Sequence, residues 1–295
     1  MEFINKEFLK QAIMGLIVAD AIGVPYEFRP RDSFRVEGMT DGGVHNQPIG
    51  TWSDDSSMTL ATLDSFIKCE SIDYKDILTR FLWWSEGEAY TPFGECFDMG
   101  ITTRRALSRF KEGRKPIECG CKGFHDNGNG SLMRILPIAF IKHTNYDIVK
   151  LSSLTHAHEI ACMSCRIYIQ IADNLMRGMN KYEAIANLTQ CVDECDRIPM
   201  MKEISRDQIE SSGYVINTLE AAVWCLIHTD SYKDCVTTAV ELGEDTDTVA
   251  AVAGGLAGIY YGIGGNQGIP KEWLDTILRR DWIEEMIENA VSNND

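Results

Sequence analysis

Apolar side chains recur at three- and four-residue spacing along most of this chain, and that period predicts helices. Phe8, Ile13, Leu16 and Ile17 outline a first helix that stops at Gly23 and Pro25. Leu60, Leu63 and Ile67 mark a second. Leu151, Leu154, Cys162, Cys165, Ile169 and Leu175 read as one long helix, Val215, Leu219, Ala222 and Leu226 as another, and Pro270 opens a last one through Trp273, Ile277 and Leu278. Alternating strand patterns are nearly absent, with Phe34 to Val36 the best candidate, so the expected class is all-α. The run from Val249 to Ile263 is almost wholly apolar. It is shorter than the roughly 20 residues a membrane span needs and is rich in Gly and Ala, so it is expected as a buried helix whose Gly254 and Gly258 let a neighbour approach closely.

Three stretches lack helical periodicity: 25–52, 88–101 and 117–131. Loops of such length in a compact domain usually carry function. With 295 residues, 44% of them hydrophobic, only 8 Pro and no low-complexity tract or repeat, one compact domain over 1–295 is expected. The net charge of −16 repels a phosphate backbone and argues against a nucleic-acid partner, without barring a local basic patch. The stretch from Met1 to Glu7 has no signal-peptide pattern, and the 10 cysteines then read as reduced, mostly buried thiols of a cytoplasmic protein. Cys162 and Cys165 form a lone CxxC inside a helical pattern, which argues against a metal or redox role there.

The candidate chemistry lies in the loops and at helix starts. Ser53-Asp54-Asp55 and Asp245-Thr246-Asp247-Thr248 each mix carboxylates with a hydroxyl, the ligand chemistry of a hard divalent cation. Each also precedes an apolar helical pattern, so helix capping explains either cluster taken alone. Doubled acids exceed what a cap needs; converging in space, they would repel one another and call for protons or cations. The Asn127-Gly128-Asn129-Gly130-Ser131 loop reads as a turn or as a phosphate cradle feeding a helix, with Gly128 and Gly130 free to take positive φ. Asp98, ahead of Met99-Gly100-Ile101, is a helix cap or a partner for a substrate hydroxyl. Glu27, between Tyr26 and Phe28, is a solvated loop acid or a partly desolvated proton-transfer group. His156 sits at an expected helix start, where stacking or hydrogen bonding is the commoner role.

Together, the segment from Gly15 to Glu27, Gly50 to Ser56, Asp98 to Thr103, Gly128 to Arg134, Thr155-His156 and Gly243 to Thr248 resemble the ordered motif set of the ADP-ribosylglycohydrolases. The resemblance spans about Lys10 to Gly262. It implies an orthogonal multi-helix bundle with a dinuclear cleft for two divalent cations, Mg²⁺ or Mn²⁺, that cuts ADP-ribose from a modified side chain. It places metal ligands on Ser53, Asp54, Asp55, Asp245, Asp247 and Thr248, and catalytic carboxylates on Glu27 and Asp98. It assigns Met99, Gly100 and Ile101 to the distal ribose, Asn127, Gly128, Asn129, Gly130 and Ser131 to the diphosphate and ribose, and His156 to the adenosine end. Ser53 replaces a Thr of many relatives, and Glu244 stands where relatives often have Gly or Ala. The implied partner is an ADP-ribosylated protein or small ADP-ribosyl conjugate, acted on by a monomer with no membrane attachment. ADP-ribosyl-arginine is the leading acceptor. Serine, O-acetyl-ADP-ribose, a nucleobase, two-metal phosphoester cleavage and a non-catalytic ADP-ribose-binding role are the alternatives. Each acid cluster is expected to cap its own helix and bind metal with the same residues.

Overall fold

The computed structural model describes residues 2–69, 71–189 and 195–292. Met1 and Cys191 lie outside these, as do the last three residues of the expected 1–295 domain. Twelve α-helices and several short 3-10 turns build the described residues, which contain isolated β-bridges and no β-strand. The helices are α1 (Lys6–Gly23), α2 (Asp54–Cys69), α3 (Tyr74–Ser85), α4 (Ile101–Lys111), α5 (Asn145–Ser152) and α6 (Glu159–Met176). They continue as α7 (Lys181–Ala186), α8 (Val215–His228), α9 (Tyr232–Glu241), α10 (Thr246–Tyr261), α11 (Lys271–Thr276) and α12 (Arg280–Ser292).

The apolar run from Val249 becomes α10, the central helix, buried on all sides and packed against α1, α6, α8 and α9. Its closest neighbour is α1, and glycine sets the separation. A Cβ on Gly15 would lie 2.5 Å from the Gly254 carbonyl oxygen, and one on Gly258 would lie 2.2 Å from the Gln11 carbonyl oxygen. The segment Lys6–Tyr26 is long and apolar enough to cross a membrane, yet 83% of its most apolar window is buried in the bundle, as a core helix requires. α1 and α10 therefore form a close-packed pair.

Three expectations change. The single helix expected from Leu151 to Leu175 is two, because α5 ends at Ser152 and a turn through Thr155 and His156 precedes α6. The last helix is also split: α11 ends at Thr276, Ile277 is extended, and Arg279 takes φ 57° before α12 starts. Phe34 to Val36 is loop, with both apolar side chains tucked inward and Phe34 stacked on Tyr26 at 4.8 Å. The nine described cysteines form no disulfide, and seven are buried.

Candidate active site

The end of α1 and the start of α2 are tied together by one buried carboxylate. Asp20, wholly buried in the last turn of α1, accepts from the Ser53 N–H at 3.0 Å, the Ser56 N–H at 3.1 Å and the Ser56 hydroxyl at 2.5 Å. Asp20 of another helix thus caps α2 together with Ser53, whose Oγ accepts from the Asp55 N–H at 3.3 Å, and the side chains of Asp54 and Asp55 are left free of that duty. Burial raises the Asp20 pKa to about 6, against the lowering effect of these serines.

The second acid cluster starts α10 beside the first. Asp245 occupies the N-cap position but makes no side-chain cap bond; its Oδ2 accepts from Asn129 Nδ2 at 2.9 Å. The expectation that each cluster caps its own helix holds only in part: Ser53 Oγ accepts from the Asp55 N–H at 3.3 Å and Asp247 Oδ1 from the Thr248 N–H at 2.9 Å, whereas Asp245 makes no cap bond. Thr248 Oγ1 reaches Asp55 Oδ2 at 3.3 Å, and Ser53 Oγ reaches the same oxygen at 3.1 Å. Residues almost two hundred positions apart thus share one site. Asp20, Asp55 and Asp247 each offer an oxygen within 4.8 Å of the others, and all three are buried. Asp55 Oδ1 and Asp247 Oδ2 have no hydrogen-bond partner among the described residues. Burial, followed by neighbouring acids, pushes the pKa values of Asp54, Asp55 and Asp247 well above the carboxylate range. Orphaned buried carboxylate oxygens held together at this cost fit hard divalent cations.

A second carboxylate group lies toward the mouth. Glu27, buried just past α1, meets His45 Nε2 at 2.5 Å, and the same nitrogen lies 3.8 Å from Asp98 Oδ1. Burial, then the charge of Glu27, raises the Asp98 pKa to about 7, while His45 is raised chiefly by its hydrogen bond to Glu27. Asp98 takes φ 57°, and Phe28 and Glu244 take 63° and 60°. Phe28 N–H donates to the Glu244 carbonyl at 2.7 Å, and Glu244 N–H donates to that of Arg29 at 2.9 Å. Left-handed backbone at three non-glycine residues around one cleft is the kind of strain that functional sites retain. It also explains why Gly suits the position of Glu244.

These groups surround a cleft of about 270 Å³ lined by Glu27, Asp54, Asp98, Asp245 and Thr248, with Gly100 and Ile101 at the start of α4 and Gly128, Asn129, Gly130 and His156 opposite. Ser53, Asp55 and Asp247 are buried. Met99 faces an adjoining cavity with Cys96 and Phe97. Ser131 is fully buried against Ser152, and Asn127 donates to the Phe124 carbonyl at 2.9 Å, so neither side chain lines the cleft. The glycine loop does not feed an α-helix: a turn follows, then a 3-10 stretch from Leu136 to Phe140. Neither Gly128 nor Gly130 has positive φ. Space is the reason for glycine here, since a Cβ on Gly130 would lie 2.8 Å from His156 Cε1.

A sequence model of the ADP-ribosylglycohydrolases matches residues 5–295. The chain belongs to the ADP-ribosylglycohydrolase family. An ADP-ribosylarginine hydrolase, Tri1, of Pseudomonas putida is 34% identical over 293 residues, covering 95% of this chain and 76% of the relative. The ADP-ribosyl-[dinitrogen reductase] glycohydrolase of Rhodospirillum rubrum is 27% identical over 279 residues, covering 90% and 88%. A solved structure described as an ADP-ribosylglycohydrolase-related protein complex superposes with a TM-score of 0.83 at 29% identity, over 97% of each chain. Members of this family are hydrolases of glycosidic bonds to ADP-ribose, and the helical bundle with its clustered acids is their fold. Reading the family's motifs did not single out Asp20 or His45 for a role. Asp20 carries a signal, a lone carboxylate inside an apolar helix that must find donors; His45 sits in an irregular loop and carries none.

Proposed function

We propose that this chain removes ADP-ribose from an ADP-ribosylated arginine, using two divalent cations, Mg²⁺ or Mn²⁺, held by Ser53, Asp54, Asp55, Asp245, Asp247 and Thr248. The observation that carries the reading is the convergence of both acid clusters beneath Glu27 and Asp98 in one cleft. The names of two relatives, both ADP-ribosylarginine hydrolases at 34% identity, support the acceptor. Bound cations would supply Lewis-acid chemistry and a fixed template for sugar hydroxyl oxygens.

The protein's own groups account for the rest. Cleavage breaks the bond between the anomeric carbon of the distal ribose and a guanidine nitrogen, through an oxocarbenium-like state. Buried carboxylates facing that carbon stabilise the positive charge. Glu27 takes a proton from the attacking water and returns one to the departing nitrogen, while His45 fixes the orientation of its carboxyl group. Asp98, titrating near neutrality, holds a ribose hydroxyl. Gly128 and Gly130 admit the diphosphate closely because they carry no side chain, and the Asn129 side chain is drawn aside by its bonds to Thr218 and Asp245.

Incubation with ADP-ribosyl-arginine, ADP-ribosyl-serine and ADP-ribosylated DNA, each with Mg²⁺ or Mn²⁺, tests the reading. Free ADP-ribose from the arginine conjugate is expected. AMP as product, or turnover of the serine or DNA conjugate alone, would overturn it.

A further inference from the structure

We propose that Thr155, backed by Arg134, is a positioning residue that fixes His156 as an imidazole whose one ring proton sits on Nε2 and points into the cleft. The proposal deepens the reading above, since its functional consequence assumes that ADP-ribose occupies that cleft. It begins with a buried hydroxyl. Thr155 is fully buried, and its Oγ1 accepts from Arg134 Nη2 at 2.8 Å and lies 2.9 Å from His156 Nδ1.

An arginine can only donate, so its N–H uses the oxygen of Thr155 as acceptor. The hydroxyl proton then needs a partner of its own. Nδ1 of His156 is the remaining polar neighbour of that hydroxyl among the described residues, and it satisfies the proton only if it carries none itself. A neutral ring with a bare Nδ1 holds its proton on Nε2. Were the proton on Nδ1 instead, both Arg134 and His156 would donate to Thr155, and a buried hydroxyl hydrogen would be left without an acceptor.

The surroundings reinforce this. Arg134 is fully buried, lies over the Phe81 ring at 4.9 Å, and has no carboxylate partner among the described residues. Burial and this nearby cation hold the His156 pKa down at about 3, so the ring stays neutral. Backbone contacts keep the residue in place: His156 N–H donates to the Ser152 carbonyl at 2.9 Å, and the Ser152 hydroxyl donates to the His156 carbonyl at 2.9 Å. The Nε2 edge faces the glycine loop, 3.6 Å from where a Gly128 Cβ would stand, and has no hydrogen-bond partner among the described residues, while the residue as a whole is buried. A donor that lines the cleft and has no protein acceptor is free to bond an oxygen that enters it. On the reading above, that acceptor is an oxygen of ADP-ribose lying along the glycine loop.

The test is ¹⁵N-imidazole NMR on the full-length chain, with and without ADP-ribose and Mg²⁺, joined to calorimetric binding and to KM and kcat for ADP-ribosyl-arginine. In the wild type, the His156 Nδ1 is expected to be unprotonated and Nε2 protonated from pH 5 to 8, with the Nε2 signal moving on ADP-ribose binding. Thr155→Val should mix the two tautomers and weaken ADP-ribose about tenfold, the worth of roughly one hydrogen bond, raising KM more than it lowers kcat. Thr155→Ser, which keeps the hydroxyl, should restore both. A wild-type proton on Nδ1, or a Thr155→Val chain with unchanged tautomer and affinity, overturns the proposal. A wild type with the expected tautomer that binds no ADP-ribose would instead sink the proposed function and leave the positioning of His156 standing.

Discussion

Glu27 is buried, hydrogen-bonded to His45 and set beside Asp98 at the mouth of the cleft, above the acids that fit metals. Glu27→Gln keeps its shape and loses its proton chemistry. We expect hydrolysis to fall by about 10²-fold or more, with Mg²⁺ and ADP-ribose binding retained in calorimetry; undiminished turnover would remove Glu27 from the mechanism. Asp54→Ala and Asp247→Ala differ in kind. They remove buried carboxylates whose charged forms are disfavoured in the folded chain, so the metal-free protein should lose little stability, while the Mg²⁺-induced rise in Tm and the activity should both vanish. A loss of about 1 kcal/mol with activity intact would mark them as caps and nothing more. Asp20→Ala should in addition destabilise the metal-free fold, by about 1–3 kcal/mol, because it strips the partner from two buried N–H groups.

Among the elements, α1 and α10 were legible in the chain's own pattern because both are continuous apolar stretches bounded by glycine and acid clusters. The break between α5 and α6 was hidden, since Leu151, Leu154 and Cys162 keep helical spacing across a turn that the hydrogen bonds of Ser152, Thr155 and His156 create. The same limit applies to the site. Acids and glycines at helix starts announce themselves by type, whereas His45 is recruited by a loop whose path no local pattern encodes. Glycine was correctly expected at the close approach of α1 and α10, but at Gly130 the expected positive φ gave way to a need for room beside His156. The sharpest element-level test is Gly23→Ala. Its Cβ would fall 2.3 Å from Asp247 Cα, so α10 must shift at its metal-facing end, and activity should fall together with about 1–3 kcal/mol of stability. Gly254→Ala, whose Cβ would meet that of Ala19 at 2.3 Å, should cost similar stability, read as a lower Tm.

At the scale of the whole molecule, the buried acids couple stability to pH and to cations. Asp20 and Asp98 titrate at about 6 and about 7 in the folded chain, against 3.8 for an unperturbed carboxyl. Between those values the folded chain holds more protons than the unfolded one, so the metal-free protein should lose stability as pH rises from about 4 to about 7. Mg²⁺ should reverse the trend, with a larger rise in Tm at pH 8 than at pH 5; an apo Tm that climbs steadily through this range would contradict the buried-acid account. The pairing of α1 with α10 has a further consequence during synthesis. The two helices that carry Asp20 and Asp247 lie near opposite ends of the sequence, and Gly15 and Gly254 meet across nearly the full chain. A nascent chain on the ribosome cannot assemble the acid cluster until α10 has emerged, so the α10-facing side of α1 stays without its native partner while most of the protein is made.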